Sequence, residues 1–141
     1  MQRFVTFLLL AVLLPAVAMS AKYDGMWKFE SAVDEAHAPV TIPGSFSVVV
    51  RSESDERYAL SVRVGNSMRA DMRVQAGQEG AAVDHVHIGD CMSTMMMPPE
   101  NLFKFEQFLT TGLPKMQTIT LSEDGNKMIL EGASKITLSK E

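Results

Sequence analysis

Cysteine is almost missing from this 141-residue chain, which holds one, Cys91. A single thiol excludes an internal disulfide framework, so a packed core has to supply the stability. It also leaves an intermolecular disulfide as the one cross-link Cys91 can make. Long apolar runs are scarce too. The only one, Phe4 to Ala18, follows Gln2 and Arg3 and is interrupted by Thr6 and Pro15. It falls short of the roughly 20 residues a comfortable membrane span needs. Small residues stand at and just beyond its end, Ala16 with Ala18 or Ala18 with Ser20. That pattern predicts a secretory signal peptide over residues 1–20 cleaved near Ser20, with a retained membrane anchor as the alternative. No cysteine stands at the cleavage point, so lipoprotein acylation is excluded.

Positive charge is sparse and scattered. Without residues 1–20 the chain carries 12 basic and 17 acidic residues, a formal charge of 12 − 17 = −5. Nucleic acid is therefore not an expected partner. Catalytic signatures are lacking as well. There is no Gly-x-Ser-x-Gly, His-Glu-x-x-His, phosphate-cradling glycine loop or cysteine-histidine pattern, so the expectation is a protein that is not an enzyme and holds no cofactor. Asp84, Asp90, Glu100 and Glu106 are read as turn residues, a first helical turn and an outer helix face.

What remains is about 121 residues, 21–141, of one domain with strong period-two patterning. Trp27 and Phe29 alternate with Lys28 and Glu30 as a first strand. Residues 31–45, with Pro39, Pro43 and Gly44, read as a loop holding a short helical turn around Asp34 to His37. Three strands follow: Phe46, Val48, Val50; Tyr58, Leu60, Val62, Val64; and Met68, Ala70, Met72, Val74. Gly65-Asn66 is a tight hairpin signal, because both residues tolerate positive φ. A further strand puts Val86 and Ile88 on one face and His85 and His87 on the other. From Pro98 to Thr111 the period changes. Leu102, Phe105, Phe108 and Leu109 fall within an arc of about 120°, one apolar helix face, with Phe103 off it. Pro99 suits the first turn and Gly112 the C′ position. Ile119 with Leu121, Met128 with Leu130, and Ile136 with Leu138 then close a meander. The fold expected is mainly β: a small antiparallel eight-stranded barrel or curved sheet with one α-helix packed against the core.

Three stretches, "RYALSVRVGNSM" (57–68), "STMMMPPENLFKFEQFL" (93–109) and "ITLSEDGNKMILEGASKITL" (119–138), carry a family likeness. Strand, Gly-Asn hairpin, strand, Ser-Thr-x-Met segment, helix with a central Glu and final meander resemble the META domain family. This family includes HslJ-like bacterial lipoproteins and META virulence-associated proteins of trypanosomatid parasites, and the methionine-proline segment resembles the parasite branch more. The resemblance implies an eight-stranded barrel with one helix, no known catalytic activity, and roles tied to stress, the cell envelope or infection. Bacterial members carry a cysteine at the hairpin and another ahead of the helix; here Gly65-Asn66 and Met96-Met97 stand there. If those cysteines pair, the resemblance implies that apolar packing replaces the pair.

Methionine is abundant, with nine left outside residues 1–20. Flexible thioethers fill irregular cores or line adaptable apolar surfaces. Two readings follow. In the first, Met95 and Met97 face inward, and Met68, Met72, Met95, Met97, Phe105 and Leu109 line an apolar pocket between helix and sheet for a small molecule, or simply fill it. The partner is then a protein or an apolar ligand. In the second, His85, His87 and Met95 form a copper site, since thioether and imidazole suit copper(I). Strand alternation argues against convergence of neighbouring methionines, and a solvated outer face is the plainer reading of His85 and His87. Cys91, at a strand end, is expected to be buried and inert.

Overall fold

Residues that alternate apolar and polar bury one side of a strand, and a sheet with one dry side has to curl around it or be covered. Here it curls until it closes. A computed structural model describes residues 22–78 and 82–141; the expected signal peptide lies outside the described residues. The strands are β1 (Gly25–Val33), β2 (Ser47–Ser54), β3 (Arg57–Arg63), β4 (Ser67–Gln75), β5 (Val83–Ile88), β6 (Met92–Ser93), β7 (Met116–Leu121), β8 (Lys127–Gly132) and β9 (Lys135–Lys140). The one helix among the described residues, α1, runs Glu100–Gly112, followed by a 3-10 turn at Leu113–Lys115.

All pairings are antiparallel, and eight strands form a closed ring: β1 with β2, then β3, β4, β5, β7, β8 and β9, which returns to β1. The short β6 is extra, hydrogen-bonded only to β4, with Met68 opposite Ser93. Register shifts between Phe29 and Ser31, Ser52 and Ser54, and Met116 and Thr118 mark where strands bend to close the ring. The inward sets match the alternation: Trp27, Phe29; Val48, Val50; Tyr58, Leu60, Val62; Met68, Ala70, Met72, Val74; Val86, Ile88; and the apolar residues of β7 to β9 form one core.

The β3–β4 loop, the β8–β9 turn and the chain entering β2 lie at one end of the barrel, and α1 packs across that end. Phe105 meets Phe29 edge-on at 5.3 Å and stacks on Phe46 at 5.9 Å, while Gly112 lies against Ser134. Burying Phe105 and Leu109 contributes about 2–3 kcal/mol each. Pro99 is the N-cap rather than a first-turn residue, and Gly112 is the last helical residue with ordinary right-handed φ rather than C′. Its small size serves the contact with Ser134 instead. Residues 34–37 form a turn, with Asp34 accepting bonds from Ala36 and Ala38 N–H and with His37 at φ 63°, not a helical turn. Phe103 is exposed.

The helix is rolled relative to its apolar arc. Its buried residues are Phe105, Glu106, Leu109 and Gly112, while Leu102 and Phe108 are half-buried. Glu106, expected on the outer face, is inside.

Candidate functional site

Glu106 is buried because donors await it. One carboxylate oxygen accepts from the backbone N–H groups of Gly65 (3.2 Å) and Asn66 (3.0 Å), and the other accepts from Asn66 Nδ2 (2.7 Å). The β3–β4 loop thus presents two main-chain donors and one side-chain donor to a residue forty positions away. Neither Gly65 nor Asn66 is in the left-handed region, contrary to the reason the sequence gives for a hairpin there. Gly65 is required by proximity: a Cβ on it would lie 2.4 Å from Pro98 Cβ and 3.0 Å from the Glu106 carboxylate.

Asn66 makes every bond its amide allows. Its Nδ2 donates to Glu106 and to the Met96 carbonyl (3.1 Å), and its Oδ1 accepts from Met96 N–H (2.7 Å) and Thr94 Oγ1 (2.8 Å). Thr94 Oγ1 in turn accepts from Ser67 N–H (3.2 Å), and Thr94 N–H donates to the Ser67 carbonyl (3.1 Å). One buried asparagine therefore binds the hairpin, the helix and residues 94–96 together. The hairpin and Met96 do meet, as the cysteine positions of the resemblance imply, but a polar clamp joins them rather than apolar packing.

That clamp explains where the methionines go. With Met96 held through both its backbone groups, the side chains of this segment project away from the barrel: Met92, Met95, Met96 and Met97 are 77, 97, 61 and 92 % exposed. The inward placement of Met95 and Met97 is thus overturned. Apolar side chains at consecutive positions carry no alternation to read, and the segment lies outside the barrel wall beyond the edge strand β6. The six pocket residues expected together are divided. Met68, Met72, Phe105 and Leu109 are buried in the core, and Met95 and Met97 form an outer ledge.

The opposite end of the barrel has its own buried carboxylate, Asp84, which sequence reasoning assigned to a turn. Asp84 lies on β5, on the same face as Val86 and Ile88. Tyr23 hydroxyl and Lys22 Nζ donate to Oδ2, and Gly77 N–H donates to Oδ1. Burial pushes the Asp84 carboxyl up, but the bonds from Tyr23, Gly77 and Lys22 outweigh it and hold it below the usual carboxylate range. Burial, then the bond to Asp84, raises the Tyr23 hydroxyl well above the ordinary tyrosine value. Trp27 Nε1 donates to the Tyr23 carbonyl and Tyr23 packs edge-on against Tyr58, so this cluster ties the chain ahead of β1 into the barrel.

The META domain profile matches residues 23–140, nearly the whole described barrel. The chain belongs to the META domain family. No curated protein and no solved structure matches it.

In this META domain the histidines and the ledge are apart. His85 and His87 share the outer face of β5, opposite Gln75 and Arg73, whereas Met92 is opposite Arg69. Four residues of β4 separate His87 from Met92, roughly 13 Å along the strand, and Met95 lies three residues further on. The register does not bring His85, His87 and Met95 together. Among the described residues, no group of three or more His, Cys, Asp or Glu side chains is gathered for a metal ion. Cys91 is half-buried rather than fully enclosed, and burial, then Asp90, pushes its thiol up. Among the described residues no helix is long and apolar enough to cross a membrane.

Proposed function

We propose that this META domain is a non-enzymatic interaction module whose contact surface is the methionine ledge and whose occupant is a protein with an apolar groove. The observation that carries this reading is the combination of exposed thioethers with a clamped backbone. Exposed large apolar side chains in a cluster mark interaction sites, and methionine adapts to the surface it meets. The clamp fixes the backbone of the ledge beforehand, which lowers the ordering cost of binding. The side chains protrude, and protruding groups fill another molecule's concavity, whereas a small ligand needs a concavity of its own. The formal charge of −5 outside residues 1–20 disfavours an anionic membrane surface as the occupant. Passage through the secretory route, implied by residues 1–20, and the stress or virulence setting implied by the family resemblance belong to the same proposal.

Photo-crosslinking tests it. A diazirine analogue of methionine is placed at position 95, 97 or 26 in the producing cell, position 26 being an exposed methionine on β1. The expected result is one adduct of discrete mass from 95 and 97, absent from 26 and lost when the other ledge methionines are changed to Asp. Equal adducts from all three positions, or none, would overturn it. Adducts to lipid alone would assign the ledge to a membrane instead.

A further inference from the structure

Apart from Met26, exposed on β1, the methionines of the described residues fall into two populations. Met68, Met72, Met116 and Met128 are buried in the core, while Met92, Met95, Met96 and Met97 stand out of one six-residue stretch. A thioether needs no activating base to react with hydrogen peroxide: the sulfur lone pair attacks one peroxide oxygen, an S–O bond forms as the O–O bond breaks, and the departing hydroxyl takes the proton of the transferred oxygen and leaves as water. Sulfur is oxidised by two electrons and the peroxide is reduced by two. Access to the sulfur therefore decides which methionine reacts.

Three features make the ledge a site rather than a scatter of exposed side chains. The four sulfurs are consecutive or nearly so, and each makes its segment more polar when oxidised. The bonds that hold the segment come from Asn66, Ser67 and Thr94 and from Met96 backbone groups, none from a sulfur. Oxidation should then leave the clamp and the core intact. The neighbouring thiol does not compete, because Cys91 is half-buried and disfavoured as thiolate by burial and by Asp90.

We propose that residues 92–97 are a reversible oxidation site, at which peroxides convert Met92, Met95, Met96 and Met97 to sulfoxides without unfolding the barrel and so switch the ledge from apolar to polar. The oxidation itself stands on exposure and clamping alone; its consequence for a partner rests on the interaction reading above.

Purified protein is treated with graded hydrogen peroxide, and oxygen uptake is mapped by peptide mass spectrometry beside a thermal melt. Met95 and Met97 should react first, Met92 and Met96 next, Met26 later, and the four core methionines more than about tenfold more slowly, since they react only through local opening. The melting temperature should hold while the ledge takes up four oxygens, and the two epimer-specific methionine sulfoxide reductases together should remove them. A variant with Leu at all four ledge positions should take up none there and melt like the parent. Core oxidation at the same dose, a melting temperature that falls with the first oxygens, or sulfoxides that the reductases cannot remove would overturn the site. For the switch, crosslinking is repeated from position 95, where the diazirine analogue carries no sulfur, after oxidation of the other three. The adduct should be lost in the parent and kept in a Met92→Leu, Met96→Leu, Met97→Leu variant; an adduct that survives oxidation overturns the switch and leaves both the contact surface and the oxidation map standing.

Discussion

Replacing Asn66 by Ala should release three segments at once. The substitution removes the Nδ2 bond to the Glu106 carboxylate (2.7 Å), the Nδ2 bond to the Met96 carbonyl (3.1 Å), and the Oδ1 bonds from Met96 N–H (2.7 Å) and Thr94 Oγ1 (2.8 Å). Loss of a bond to a buried charged group costs about 1.5–3 kcal/mol, and each partly exposed neutral bond about 0.5–1 kcal/mol at most, because water replaces some of it. The expected destabilisation is about 3–6 kcal/mol. For a domain of this size that corresponds to a melting temperature lowered by roughly 12–24 °C. Asn66→Asp should be worse than Asn66→Ala, since it sets a second carboxylate against Glu106 where a donor stood. Glu106→Gln is not conservative either, because every partner of Glu106 is a donor and the new amide nitrogen would face one of them. Two measurements decide: thermal or urea unfolding for the global loss, and amide hydrogen exchange for Met96, whose N–H should lose protection in Asn66→Ala while the β7–β9 amides keep theirs. A change under about 0.5 kcal/mol, typical of an ordinary surface substitution, or unaltered Met96 exchange, would refute the clamp.

Other outcomes follow from the same contacts. Gly65→Ala should destabilise by about 1–3 kcal/mol through overpacking against the rigid Pro98 ring; because the φ of Gly65 is ordinary, a stabilised variant in urea unfolding would contradict the close approach. Asp84 has a lowered folded-state pKa, so its contribution is present above the ordinary carboxylate value of about 4 and lost as pH falls through the lower folded value. Asp84→Asn should therefore flatten the acid side of a melting-temperature profile. Tyr23 is shifted upward, so its contribution is full below about pH 10 and lost as pH rises beyond it; Tyr23→Phe should soften the alkaline side, leaving the similar but separate effect of Tyr58. Met95→Asp with Met97→Asp should change stability by no more than about 0.5 kcal/mol, whereas Met72→Asp should abolish folding, both read by circular dichroism melts.

The barrel strands were legible because each is a local pattern: Tyr58, Leu60, Val62 and then Met68, Ala70, Met72 alternate with polar residues whatever surrounds them, and a strand with that pattern has one side to bury. The helix was legible in its extent and composition, with Phe105 and Leu109 inward as expected. Its roll was not. An arc drawn through Leu102, Phe105, Phe108 and Leu109 puts Glu106 at its margin, and a glutamate turns inward only where donors exist to satisfy it. The two pieces of sequence that signal this site, the Gly-Asn hairpin and the central glutamate of the helix, are both visible. Nothing local links them across forty residues.

The sequence by itself determined the strand and helix pattern, the one-sided dryness of the sheet, the lack of any disulfide within the chain and the likeness to META domains, all properties of neighbouring residues or of composition. Only the tertiary structure decided that the sheet closes into a ring, that Glu106 and Asp84 are buried at opposite ends of it, and that Met95 and Met97 face outward. The physical reason is shared: a buried carboxylate and an exposed thioether are each unfavourable on local grounds, and each is settled by hydrogen bonds from distant segments, Gly65, Asn66 and Tyr23, that exist together only once the chain has folded.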